Sequence, residues 1–270
     1  MPLERREVEL AFDAELARHW CGGKPFKTHL LNAYTILIPD GEKFIIRTCR
    51  KYSERLSDAV AVDVRGLYYQ EGQHSIQHGR ALDVYRRQGY RVEGMRRAID
   101  VFCYGFLERI FPSVFALSTA SAIEHINASI AEHFLSQDPF LGGSRSVMAQ
   151  MFAWHFSEEI EHKSVVFDAL NEIHNGRMLR FVGLSMSLVN FVGLLYLGAF
   201  VLAWQDRSLF TREYWRDFAE FNVSNQFLAR LWRCSRQYMR ATFHPRDVPN
   251  ELLVQKGMML FQSIQGIKQC

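Results

Sequence analysis

The sequence predicts an all-α protein, a helical bundle around a metal centre with further helices after it, and three observations carry that prediction. Prolines are scarce, seven in 270 residues with none between Tyr52 and Ile110, while Ala, Leu, Arg, Glu and Phe recur at helical spacing. Two Glu-x-x-His motifs, Glu71/His74 and Glu159/His162, fall on separate helical stretches. Single glutamates, Glu42 and Glu124, fall on two others. One Glu from each of two helices and a Glu-x-x-His from each of two more is the donor set of a dinuclear carboxylate bundle.

The totals fit that reading. A chain of 270 residues that is 48% apolar can bury one sizeable core, so a single domain over 1–270 is expected, with a metal-binding bundle over about 36–175 and apolar and basic helices over 176–270. A formal charge of +3 is too small to argue for nucleic acid, and no zinc-finger spacing or Gly-rich phosphate loop is present. Cys21, Cys49, Cys103, Cys234 and Cys270 are scattered and odd in number, which reads as reduced thiols. The charged start M-P-L-E-R-R-E-V-E-L lacks the apolar run of a secretory signal, so a cytoplasmic protein is expected.

Along the chain, Val8 to His19 reads as an amphipathic stretch ended by Cys-Gly-Gly-Lys-Pro. Pro39-Asp40-Gly41 reads as a turn, with a helix starting near Glu42. Helical patterns then run over Ser53–His78, Val84–Ile110 and, after Pro112, Ser113–Leu135. The next runs from about Ser146 to His174, where Asn175-Gly176 stops it.

Phe181 to Gln205 is free of formal charge and meets the roughly 20-residue length of a membrane-spanning helix. Its small residues Gly183, Gly193, Gly198 and Ala199 equally suit a helix packed between others, so peripheral and integral attachment to the inner membrane both stand as expectations. Arg230, Arg233, Arg236 and Arg240 form a basic stripe beside Trp232 and Tyr238, suited to an anionic bilayer or to a solvated face. Leu252 to Ile267 closes the chain as a short amphipathic helix.

The candidate ligands cluster by helical phase. Glu71, His74 and His78 share one face, as do His155, Glu159 and His162. Two divalent ions repel, so carboxylates must bridge and neutralise them, while each imidazole adds a neutral nitrogen. Glu158 and Glu161 point off that face and read as surface or supporting pairs, and Asp168 points away. His78 stands as a supporting or extra ligand, Glu54 as the fallback for Glu42, and His125 and Glu132/His133 as weaker alternatives to Glu124.

The run P-D-G-E-K-F, the Q-E-x-x-H of the second helix, A-I-E-H, W-H-x-x-E-E-x-E-H-K and the late F-H-P resemble the bacterial family described as predicted metal-dependent hydrolases, over about Ile38 to His244. In ligand order the pattern is also similar to ferritin-like di-iron N-oxygenases of aryl amines, which carry one more histidine four residues before the last Glu-x-x-His glutamate, where His155 stands. The resemblance implies a ferritin-like four-helix bundle and a ligand set of Glu42, Glu71, His74, Glu124, His155, Glu159 and His162. It implies two iron ions, with manganese or zinc as the alternatives.

The first functional expectation is a di-iron oxygenase or oxidase that uses O2 on a hydrophobic small molecule or lipid, by hydroxylation, desaturation or N-oxidation, with an electron-donor protein or reductant. The alternatives are a metal-dependent hydrolase and a non-catalytic membrane-associated helical protein with structural metals. A membrane surface and a homodimer, the latter by analogy alone, complete the expected partners.

Overall fold

In the computed structural model, which describes residues 3–12, 15–101, 103 and 108–267, every regular element is helical. Four long helices form the bundle: α1 (Pro25–Arg50), α2 (Asp58–Arg87), α5 (Ser113–Leu135) and α6 (Val147–His162). Between α2 and α5 lie α3 (Val92–Ile99) and the single turn α4 (Glu108–Ile110). Beyond the bundle come α7 (Val165–Ile173), α8 (Arg177–Ser187), α9 (Gly193–Gln205), α10 (Arg212–Ala219), α11 (Phe227–Tyr238) and α12 (Glu251–Ile267).

Local signals set the helix starts. Pro25 occupies the first turn of α1, where its missing N–H costs nothing. The Ser57 hydroxyl accepts from Val60 N at the start of α2, and Ser146 does the same for Ala149 N at the start of α6. α1 itself departs from the sequence reading, since it runs straight through Pro39 instead of beginning near Glu42. A proline inside a helix costs about 3 kcal/mol. Ile36, Leu37, Ile38, Phe44 and Ile45 are all buried around it, and burial of each such side chain is worth about 1.5–3 kcal/mol, so tertiary packing outweighs the local breaker.

Other boundaries shift as well. α2 begins at Asp58 and continues to Arg87, and the stretch expected as one helix from Val84 to Ile110 is divided among α2, α3 and α4, with part of it outside the described residues. The expected Ser146–His174 helix is two, α6 and α7, parted at Lys163-Ser164. The stretch from Val8 toward His19 is amphipathic but not helical where described: Val8, Leu10 and Phe12 are buried while Glu9 and Ala11 are exposed. Alternation of two is strand periodicity, not helical. Side chains of α2 and its C-terminal cap tie this segment down, with Gln77 Nε2 donating to Val8 O (2.7 Å), Arg87 to Phe12 O (2.6 Å) and the cap residue Gln88 Nε2 to Leu16 O (2.8 Å).

The core falls into two apolar layers. One gathers Tyr34, Ile38, Tyr85, Phe134, Phe152 and Phe156; the other gathers Phe44, Leu67, Leu117, Val165 and Leu170. On α1 the two layers meet between Ile38 and Phe44, on α2 between Leu67 and Ala81, and on α5 and α6 around Glu124 and His162. The gap on every helix is filled by buried polar side chains.

The long apolar stretch is one helical run, α8 and α9 joined by a π turn at Leu188–Val192, packed along α1 and α5. By length and composition Arg177–Gln205 is long and apolar enough to cross a membrane, yet only a third of its most apolar window is buried. Its glycines are contact points, because a Cβ at Gly183 would lie 2.3 Å from Ser118 Oγ and one at Gly198 would lie 2.8 Å from Ala33 Cβ. The basic stripe on α11 is mixed: Arg233, Arg236 and Arg240 are exposed, Arg230 pairs with Glu132 at 2.9 Å, and Tyr238 is no surface anchor but a core residue bonded to Ser121 Oγ at 3.0 Å. Cys21, Cys49, Cys103 and Cys234 are free thiols, and Cys270 lies outside the described residues.

Candidate metal centre

The polar layer between the two apolar ones holds all seven expected ligands, each fully or almost fully buried. α1 brings Glu42, α2 brings Glu71 and His74, α5 brings Glu124, and α6 brings His155, Glu159 and His162. Glu71, His74, Glu159 and His162 offer ligand atoms within 4.8 Å of one another, and so do Glu42, His74 and His155. His162 Nδ1 lies 3.4 Å from Glu71 Oε1 and 3.9 Å from both Glu124 Oε2 and Glu159 Oε2. His74 Nδ1 lies 3.3 Å from Glu71 Oε2 and 3.6 Å from Glu42 Oε1.

A surrounding layer fixes which ring nitrogen faces inward. His74 Nε2–H donates to Glu158 Oε2 at 2.9 Å, which leaves Nδ1 toward the glutamates. Gln70 Nε2 donates to Glu4 O at 2.7 Å, so its Oε1 accepts from His162 Nε2–H at 2.6 Å and again leaves Nδ1 inward. Arg6, from the N-terminal segment, bonds both Glu158 Oε1 (3.0 Å) and Glu161 (2.9 Å). Such outer hydrogen bonds orient metal-binding imidazoles and set their tautomer. Ser75 Oγ donates to Glu42 Oε2 at 2.6 Å, and Asn127 Nδ2 to Glu159 Oε1 at 3.3 Å.

His155 Nε2 faces Glu159 Oε1 and the Tyr34 hydroxyl, each at 3.1 Å, and its Nδ1 lies 3.3 Å from His78 Nε2. His78 therefore supports His155 instead of joining the glutamates. Glu158 reads as off the metal face in sequence, yet it is wholly buried as the partner of His74; α6 is enclosed on more than one side, so its phase does not lead outward there. Tyr34, Ser75, Asn127 and Arg6 had no sequence signal of their own, whereas Gln70 stood in the Q-E-x-x-H motif without a role assigned to it. The alternatives fall elsewhere: Glu54 is exposed, His125 Nε2 bonds Cys234 O at 3.1 Å, Glu132 binds Arg230 and Asn250, and Asp168 pairs with His244 and Arg246.

Electrostatics show what the cluster lacks. Burial, and then the charge of Glu71, pushes Glu42 and Glu124 well above the usual carboxylate range and Glu159 up to about 7. Burial works on Glu71 in the same direction, but the close imidazoles of His162 and His74 outweigh it and hold Glu71 low. Burial keeps His155 and His78 neutral, their pKa pushed well below the ordinary value. Glu42 Oε1, Glu71 Oε1, both oxygens of Glu124, Glu159 Oε2 and His162 Nδ1 have no hydrogen-bond partner although buried. Buried acceptors left bare cost about 1–3 kcal/mol each, more when charged. Cations among them would satisfy all six at once, and four carboxylates balance two divalent ions. The residues fit a dinuclear metal site.

Beside the layer an apolar cavity of about 100 Å³, open to solvent on one side, runs between α1, α5 and the α8–α9 helix. Leu37, Ile45, Phe115, Ile123, Met186 and Phe191 line it, and Glu42 and Asn127 are where it reaches the cluster.

Fold and site together define a helical metalloprotein whose carboxylate–histidine centre is enclosed by its bundle. A family model described as predicted metal-dependent hydrolase matches residues 4–248, and the chain belongs to that family. No curated protein and no solved structure matches it. Membership corrects the first functional expectation. An oxygenase or oxidase with an electron donor, and iron as an oxygen-activating ion, has no support, because the family is described as predicted metal-dependent hydrolases; the likeness to N-oxygenases went no further than ligand order.

Proposed function

We propose that the protein is a metal-dependent hydrolase for a substrate with a long apolar portion, and that Glu42, Glu71, His74, Glu124, His155, Glu159 and His162 hold two divalent ions. The observation that carries this reading is the set of six unpartnered buried carboxylate and imidazole atoms at the end of an apolar cavity. The nitrogen and oxygen donors suit iron, and equally manganese or zinc. Bound there, such ions supply Lewis-acid polarisation of a substrate oxygen and make water more acidic.

The chain's own residues do the rest. Leu37, Ile45, Phe115 and Met186 hold the apolar portion and exclude water around it. Asn127, whose Oδ1 is buried without a partner and whose Nδ2 reaches Glu159, is the polar group on the wall beside the cluster, suited to orienting the substrate's polar head. Glu158, Gln70 and Arg6 keep His74 and His162 aimed inward. A bundle of ferritin type agrees with the four ligand-bearing helices and their order. The protein works at a membrane surface in this reading, attached at its periphery, because the long apolar helix has one side packed on α1 and α5.

The test is hydrolysis of long- and short-chain acyl esters by metal-loaded protein, before and after chelation and reloading with iron, manganese or zinc. Metal-dependent cleavage that favours the long chain supports the reading; absence of cleavage with every metal and every chain length overturns it.

A further inference from the structure

The helix that walls the cavity turns its other side outward. Phe181, Val189, Leu197 and Trp204 are each more than half exposed. At 100° per residue, Phe181 and Trp204 should lie about 140° apart around the axis. The π turn at Leu188–Val192 takes up about one residue and brings them back to within about 40°, so the four form one apolar stripe about 35 Å long. Soluble monomers rarely leave such a stripe uncovered.

Its C-terminal end has a distinct composition. The chain turns at Arg207 into the short turn Ser208–Phe210 and then α10, where exposed Phe210 and Trp215 join Trp204. Trp215 Nε1 donates to Leu209 O at 3.0 Å, and its ring packs 6.1 Å from Phe200, which fixes it at this corner. Arg207, Arg212 and Arg216 are exposed and form no ion pair within 4 Å among the described residues, although Arg216 acts on the Glu220 carboxylate, which Lys24 holds. Arg177 is exposed at the opposite end of the helix.

Amphipathic indoles and unpaired guanidinium groups beside an apolar helix face match the interfacial zone of an anionic bilayer. A second copy of the chain would cover the stripe but would set the same three arginines against cations. Crossing the bilayer would tear Gly183 from Ser118 and Gly198 from Ala33, and with them the wall of the cavity.

We propose that this face seats on an anionic membrane surface and that the cavity behind it takes the acyl chain of a membrane lipid. The docking half stands by itself, and the acyl-chain half rests on the hydrolase reading. Vesicles of phosphatidylcholine alone and of phosphatidylcholine with phosphatidylglycerol are floated with the metal-loaded protein at low and high salt. The protein should rise with the anionic vesicles at low salt and much less with the neutral ones or at high salt. Replacing Arg207, Arg212 and Arg216 together by glutamine should weaken binding on the order of a hundredfold, and Trp204→Ser with Phe210→Ser and Trp215→Ser should abolish it, with circular dichroism and metal content unchanged. No flotation, flotation that neither triple variant alters, or a dimer by light scattering that the tryptophan variant dissolves would overturn the docking. Spin-labelled stearic acid should be immobilised by the wild type and released by Ile123→Trp, a variant that still floats; an unchanged spectrum would overturn the acyl-chain half whatever the enzyme hydrolyses.

Discussion

Two clusters of histidine and carboxylate lie along α1, and their difference shows what marks a metal site. Near its start, His19 Nε2 and His29 Nε2 each donate to Asp206 Oδ2 at 3.0 Å, Tyr90 OH donates to the same oxygen at 2.9 Å, and Ser208 N donates to Asp206 Oδ1 at 2.9 Å. One carboxylate there meets enough donors to satisfy both oxygens. Thirteen positions further on, about 20 Å along the axis, Glu42 belongs to a cluster in which four carboxylates share too few donors and six atoms stay bare. Both bring imidazoles within reach of carboxylates, as metal sites do. A surplus of bare carboxylate oxygens separates the site that needs cations from the one whose carboxylate is already satisfied by hydrogen bonds, where His29 Nδ1 alone stays bare.

The largest break of that contrast comes from Glu159→Ala or His162→Ala. Either should empty at least one metal position, read by elemental analysis, and lower hydrolysis by two orders of magnitude or more. Full metal content in both variants would make the two clusters alike.

Removing the metal from the wild type should expose the surplus as a pH dependence. Burial and mutual repulsion raise Glu42, Glu124 and Glu159, so the metal-free native state holds protons that the unfolded chain releases. Their contribution is present at low pH and lost as pH rises toward and past about 7, the value for Glu159. His74 and His162, also raised, act in the same direction, whereas the lowered His155 and His78 oppose it below about pH 6.5 and the lowered Glu71 loses its contribution only in stronger acid. The melting temperature of chelated protein should therefore fall between about pH 6.5 and about pH 8, and adding metal near neutrality should restore it while releasing protons. Calorimetry at several pH values reads both; a flat profile without metal would contradict the assigned surplus.

Smaller effects sharpen the comparison. Glu158→Gln weakens the acceptor that aims His74 and should reduce metal affinity about 10–100-fold in chelator competition, with little change in stability. Asp206→Ala should cost about 1–3 kcal/mol in urea unfolding by leaving His29 and Tyr90 without their acceptor, and should leave metal content unchanged. Loss of an ion from that variant would mean that the first cluster also binds metal.

Much of the centre was legible in the sequence. The Glu-x-x-His pairs, His155 four residues before Glu159, and the lone Glu124 among small residues all read directly from helical phase, and α5 has the bounds its pattern predicts. Glu42 was legible as a residue but not as part of its helix, because Pro39-Asp40-Gly41 is a turn signal that only packing overrides. The N-terminal segment read as amphipathic with the wrong period, and the role of Arg6 depends on where that segment lies, which no local pattern encodes. Family membership, and not residue chemistry, turned the expected reaction from oxidation to hydrolysis; a carboxylate–histidine donor set serves either.

By itself the sequence determined an all-helical chain and the side chains able to meet at a dinuclear centre, because helical periodicity is local and puts donors three and four residues apart on one face. Tertiary structure alone decided which acceptors are left bare, which ring nitrogens face inward, and which side of the long apolar helix remains uncovered. Those outcomes depend on partners distant in the chain, such as Arg6 with Glu158 or Gly198 with Ala33, and burial and hydrogen bonding are properties of the assembled neighbourhood.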